Sequence, residues 1–165
     1  MRALLQGPWG AGGRLLPLMA LASVAAVGAA LVSQHVFDMQ PCPWCVLQRL
    51  IFLAIAVASL LAWALPGQAG RRASSALALV LAACGAAAAA WQHFVAASST
   101  SCRLTLADRV VGATGLDQRW PEVFAPYASC ADAAVTLLGV PYEFWSAALY
   151  VALAAMALQA LRRPR

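Results

Sequence analysis

The chain has 165 residues, 63% of them apolar and only 10% charged, with a net charge of +5. Soluble domains run nearer about 45–50% apolar and about 25% charged, and a single domain of this length has too little interior to bury the excess. Composition therefore excludes an ordinary water-soluble domain, and the positive charge, spread over segment ends, gives no support to a nucleic-acid partner.

The first apolar run extends from about Leu15 to Val36, and about 20 such residues suffice to cross a bilayer. Arg2, Arg14 and the small residues near Gly28 would also suit a cleaved leader. The length of the run and the three that follow it favour a retained span. A short connection, about residues 37–45, ends in Cys42-Pro43-Trp44-Cys45 and leads into a second span from about Val46 to Leu65. With Cys42 as N-cap, Pro43 takes the first helical position, where its missing N–H costs nothing. Both sulfurs then lie at the positive end of a helix, which favours thiolate. Arg49 follows Cys45 by four residues and shares its face, and helical side chains lean toward the N-terminus, so the guanidinium is expected to point back at the sulfur. A snorkelling anchor is the plainer reading of Arg49. A charge inside a span is nonetheless a functional candidate, and this one has a reactive neighbour.

The third span, about Ser74 to Phe94, is rich in alanine and suits close helix packing. Cys84, at its middle, reads as a small packing residue. The span closes on Trp91-Gln92-His93, at the level where the second begins. His93 could donate a hydrogen bond to a carbonyl oxygen of a ligand between the helices, or be merely structural. The next connection, about residues 95–143, carries Cys102 and Cys130. It is expected to be mobile, functional and without a core of its own. Within it, "CADAAVTLLGVP" from Cys130 is expected to form a short helix ending at Gly139, and Leu104, Ala107 and Val111 suggest a second, weaker one. The last span runs from about Phe144 to Leu161.

Charge placement orients the bundle. Seven arginines (2, 14, 71, 72, 162, 163, 165) lie in the two tails and the connection between spans 2 and 3, with no acid among them. The long connection holds three arginines and five acids. Excess arginine marks the cytoplasmic side, so both termini are expected inside, and Cys42, Cys45, Cys102 and Cys130 share the outer face. That compartment permits disulfides, and static crosslinks are the plain reading of such cysteines. The Cys-x-x-Cys pair favours exchange chemistry. Val46 in place of histidine excludes the c-type haem attachment pattern. The wide spacing of Cys102 and Cys130 argues against a zinc site, so no metal is expected.

The four spans, an outer Cys-Pro-Trp-Cys followed by Arg49, the Trp-Gln-His closing span 3, and a second outer loop with two separated cysteines together resemble the disulfide bond formation protein B (DsbB) family. The likeness covers nearly the whole chain, residues 1–165 as one domain. It implies an all-α, four-transmembrane-helix bundle in a bacterial inner membrane, with its active site on the periplasmic side. It also implies a quinone-dependent oxidoreductase that reoxidises a periplasmic DsbA-like thioredoxin-fold protein and draws on the quinone pool of the surrounding lipid. Cys102 and Cys130 would form the disulfide that meets the partner, with Cys102 joining it. Cys42 and Cys45 would pass electrons to ubiquinone or menaquinone, and Cys45 would engage the ring beside Arg49 and His93. Gln48 stands where relatives can carry an acid, and Cys84 has no place in the family pattern. A bound quinone also explains the motif's position: one redox partner is aqueous and the other is dissolved in lipid. Vitamin K epoxide reductase-like proteins are the nearest enzymatic alternative, but there the loop cysteines precede the Cys-x-x-Cys. A non-catalytic membrane scaffold with two structural disulfides is the other.

Overall fold

The computed structural model describes residues 11–65, 67–98 and 105–162. Cys102 and Leu104 lie outside the described residues. Four long helices carry the fold: α1 (Ala11–Val36), α2 (Pro43–Ala64), α3 (Gln68–Trp91), which runs on as a π-helical turn (Gln92–Ala96), and α7 (Tyr142–Arg162). Between the π turn and α7 lie three short helices and a hairpin: α4 (Leu106–Thr114), α5 (Leu116–Arg119), α6 (Pro121–Phe124), β1 (Thr136–Leu137) and β2 (Val140–Pro141). All four long helices are apolar and long enough to span a bilayer. Their outward faces are apolar too, with Leu21, Val24, Val57, Val80 and Val151 all more than half exposed, as lipid contact requires and water would not tolerate.

The four long helices start before the apolar runs that reveal them. α3 begins at Gln68 and takes in Arg71 and Arg72, and α7 begins at Tyr142, because a helix continues through the interfacial layer once its backbone bonds are made. α1 packs on α2 and α7, and α3 packs on the same two, so the four close into a bundle. α3 turns Ala78, Ala82, Gly85 and Ala89 inward, a small-residue stripe that lets backbones approach. A Cβ on Gly85 would lie 2.2 Å from the Tyr150 ring. That ring stacks on Phe52 at 4.1 Å, and its hydroxyl donates to the Gln48 carbonyl at 2.8 Å. Cys84 falls off the stripe and is exposed on the bundle's outer surface, so it does not pack between helices as its size had suggested.

Two expectations for the long connection are corrected. The segment after Cys130 is no helix. Val135 and Thr136 favour extended chain, and Leu138 and Gly139, at φ 55° and 77°, form the two-residue turn of a hairpin that pairs Thr136 with Pro141. A turn needing positive φ at both central residues commonly ends in glycine, so Gly139 closes a hairpin where a helix stop had been read. Nor does the connection lack a core. Ala107, Val111, Phe124 and Cys130 pack against Trp44, Val46 and Leu47 at the head of α2. The weak helix inferred around Ala107 and Val111 is present as α4. It is started by a capping box in which the Thr105 hydroxyl accepts from the Asp108 N–H and the Asp108 carboxylate accepts from the Thr105 N–H.

Candidate functional site

At the head of α2 the chain does what Cys-Pro-Trp-Cys dictates. Cys42 is the N-cap, Pro43 sits in the first turn, and the Cys45 N–H donates to Cys42 Sγ at 3.3 Å. This folds the two sulfurs to 2.7 Å from each other. Cys130 comes from the far end of the long connection and reaches Cys42, to which it is hydrogen-bonded. Its approach is fixed by backbone: the Tyr127 and Ala128 N–H groups both donate to the Pro41 carbonyl, at 2.9 and 3.2 Å. The three sulfurs therefore form a row, Cys130, Cys42, Cys45, with Cys42 between. The bond shared with Cys130, then the bond to Cys45 and burial, push the Cys42 thiol far up. The same bond from Cys42 holds Cys130 below the ordinary thiol range, against the opposing effect of burial. Cys42 is thus the proton-holding member and Cys130 the thiolate-favoured one.

The row ends at a cavity of about 280 Å³ between α1, α2 and α7, close to the lower end of small-molecule sites, roughly 300–1,000 Å³. One part of its wall is apolar, built from Ala26, Ala29, Ala30, Phe52 and Leu149. The other part is polar, with Cys45, Gln48, Arg49, Gln92 and Glu143. An apolar sleeve with donors and a thiol at one end fits a ring bearing carbonyl oxygens and a hydrocarbon tail, so these residues suit a quinone.

Arg49 is buried beside Cys45 on that wall, but its hydrogen bonds run elsewhere. Nη1 donates to Gln34 Oε1 at 2.7 Å and to the Val123 carbonyl at 2.8 Å. Gln34 in turn donates from Nε2 to the Glu122 carbonyl at 3.1 Å. The arginine thus fastens α6 to α1 and α2. His93 is placed behind the wall. Its Nδ1 lies 2.6 Å from Glu143 Oε1, and Glu143 is the member that faces the cavity.

Sequence reasoning singled out Cys42, Cys45, Cys130, Arg49 and His93, and all five stand at this end of the bundle. It missed Gln92, whose Nε2 donates to Cys45 Sγ at 3.4 Å while its Oε1 accepts from Gln48 Nε2 at 2.7 Å. It also missed Gln34 and Glu143. Each of the three is a polar side chain within or at the edge of an apolar run, and that was the signal available.

Comparison with known proteins places this geometry in context. The family model described as disulfide bond formation protein DsbB matches residues 13–160. Disulfide bond formation protein B 1 of Pseudomonas putida is 32% identical over 92% of this chain and 91% of its own length. The protein of the same name from Pseudomonas aeruginosa is 35% identical over 91% and 95%, and disulfide bond formation protein B of Aromatoleum aromaticum is 30% identical over 84% and 86%.

Proposed function

The chain belongs to the DsbB family and is a multi-pass membrane protein of disulfide bond formation, and from that premise we infer that it reoxidises a DsbA-like thioredoxin-fold protein and hands the electrons to a quinone. Its place would be the bacterial inner membrane, with the cysteine end facing the periplasm. The observation that carries this reading is the sulfur row ending at the cavity, with Cys45 on its wall.

The steps take the role of Cys102 from the family resemblance and the rest from the order of the three described sulfurs. A thiolate of the partner attacks Cys102 of a Cys102–Cys130 disulfide, forming a mixed disulfide and releasing Cys130. The Cys130 thiolate then attacks Cys42 of the Cys42–Cys45 disulfide. The Cys42–Cys130 bond forms, the Cys42–Cys45 bond breaks, and Cys45 leaves as a thiolate at the cavity wall. The partner's second thiolate resolves its bond to Cys102 and departs oxidised. Cys102 displaces Cys42 from Cys130, which restores the loop disulfide and leaves Cys42 and Cys45 reduced, with Cys45 as the thiolate at the cavity wall. A quinone held in the cavity would supply a two-electron, two-proton acceptor. Arg49 and Gln92 would orient its oxygens, the apolar wall would take the ring, and Cys42 and Cys45 would close again to a disulfide. Exchange of this kind needs an ionised attacking sulfur and an accessible target, roles that suit Cys130 and Cys42.

A scaffold with two static disulfides is disfavoured by the same row, since a permanent crosslink has no use for a third sulfur against it. The test is anaerobic mixing of the purified protein with a reduced thioredoxin-fold partner and either ubiquinone or menaquinone. One quinol is expected for each partner disulfide formed. A partner that stays reduced with both quinones would refute the reading.

A further inference from the structure

Glu143 is a buried carboxyl group that the sulfur relay does not use. It stands in the first turn of α7 with 4% of its surface exposed, a placement that is costly unless the group is paired. Its pair is His93, with Nδ1 at 2.6 Å from Oε1, and the imidazole is 31% exposed. The ring is held by the edge of Phe94 at 4.8 Å and by Phe144 at 4.6 Å. The π turn makes this possible, because consecutive residues there serve different helices: Gln92 reaches Cys45 and Gln48 on α2, and His93 reaches α7. One end of the pair is thus open to the surroundings and the other lines the cavity.

We propose that His93 and Glu143 deliver protons to the cavity, Glu143 passing the proton to the electron acceptor and His93 positioning and reprotonating it. This rests on the quinone reading above. Reducing a quinone to a quinol takes two electrons and two protons, and the partner's dithiol supplies two of each in total. Its protons, however, come off where the partner docks, outside the cavity, and Cys45 is displaced from Cys42 as a thiolate that carries none. Cys42 is not on the cavity wall, so at least one proton must enter the cavity by another route. Arg49 cannot give one up. The other ionisable wall groups are Cys45 itself and Tyr142, whose hydroxyl is engaged with Ser33 Oγ at 3.3 Å, and α1 and β1 contribute no titratable side chain. Glu143, with its exposed relay partner, is the group so placed.

The test uses the full-length protein in lipid vesicles. Glu143→Gln keeps an oxygen for His93 but carries no exchangeable acid proton. It is expected to slow quinol formation by on the order of a hundredfold, the usual scale of general acid catalysis, and to flatten its pH profile. Thiol exchange with the partner, measured without quinone in a single turnover, should be unchanged, and Glu143→Asp should recover part of the loss. His93→Gln provides a second variant should the first fail to fold, with a smaller loss and a displaced pH profile expected. A quinone-free readout is the infrared carboxyl band of Glu143, which should shift in position in His93→Gln and vanish in Glu143→Gln. If Glu143→Gln forms quinol at the wild-type rate across the pH range, or if exchange and quinol formation fall together with thermal stability, the pair is only a pin between α3 and α7 and the proposal is overturned, with the oxidase reading intact. If the wild type forms no quinol, both fall.

Discussion

Arg49 Nη1 donates to the Val123 carbonyl at 2.8 Å, which ties the single charged residue of α2 to a connection whose next turns carry Cys130. The arginine therefore has two duties, as part of the cavity wall and as the fastener of the loop. Hydrogen bonds to charged groups contribute about 1.5–3 kcal/mol each. Arg49→Ala should accordingly speed amide exchange over residues 120–130 by about tenfold or more and slow both partner exchange and quinol formation. Arg49→Lys should recover only part, because an ammonium lacks the planar fork. Unaltered amide exchange in the alanine variant would reduce Arg49 to an interface anchor.

Neighbouring residues of α3 should behave oppositely. Cys84 is exposed on the outer surface and Gly85 lies under the Tyr150 ring. Cys84→Ser should leave stability and turnover unchanged. Gly85→Ala should destabilise by about 1–3 kcal/mol through overpacking and disturb the Tyr150 bond to Gln48. Thermal unfolding in detergent measures both, and equal midpoints would contradict the packing described for α3.

The contrast shows what the sequence could reveal. Four long apolar runs declared the bundle, and Pro43 after Cys42 declared the start of α2, because these depend on local chemistry. Thr105 and Asp108 likewise cap α4 within a few residues. The placement of Cys130 was not legible: it hangs on the N–H groups of Tyr127 and Ala128 meeting the Pro41 carbonyl, backbone bonds that leave no side-chain trace. Glu143 read as one acid among five in a loop, because its partner His93 is 50 residues away. The hairpin was misread because Leu138 sits at a φ that leucine seldom adopts.

Cys130 should ionise more readily while Cys42 is present. The Cys42 thiol donates to it and favours its thiolate. Because the Cys130 pKa is depressed, its reactivity should persist below the ordinary thiol range and fade only as pH drops through the lowered value. In the reduced protein, alkylation of Cys130 followed by mass spectrometry should show a lower pH midpoint than in Cys42→Ala. Identical midpoints would deny the contact an electrostatic role.

The hairpin turn offers a stabilising change. Leu138 is 86% exposed at φ 55°, a conformation asparagine adopts with less strain. Leu138→Asn should stabilise the hairpin by roughly 0.5–1 kcal/mol and slow amide exchange at Tyr142, whose N–H donates to the Val135 carbonyl at 3.0 Å. Faster exchange there would show that Leu138 is held by contacts worth more than the strain.

The most direct measurement is to trap the middle of the sulfur row. A variant carrying Cys45→Ser and Cys102→Ser leaves Cys42, Cys84 and Cys130 as its cysteines. After mild oxidation and proteolysis, mass spectrometry should find one intramolecular disulfide, Cys42–Cys130, formed in near-stoichiometric yield. If Cys42 and Cys130 instead remain free thiols under conditions that oxidise the wild-type Cys42–Cys45 pair, the two loops do not meet and the path from partner to cavity is broken.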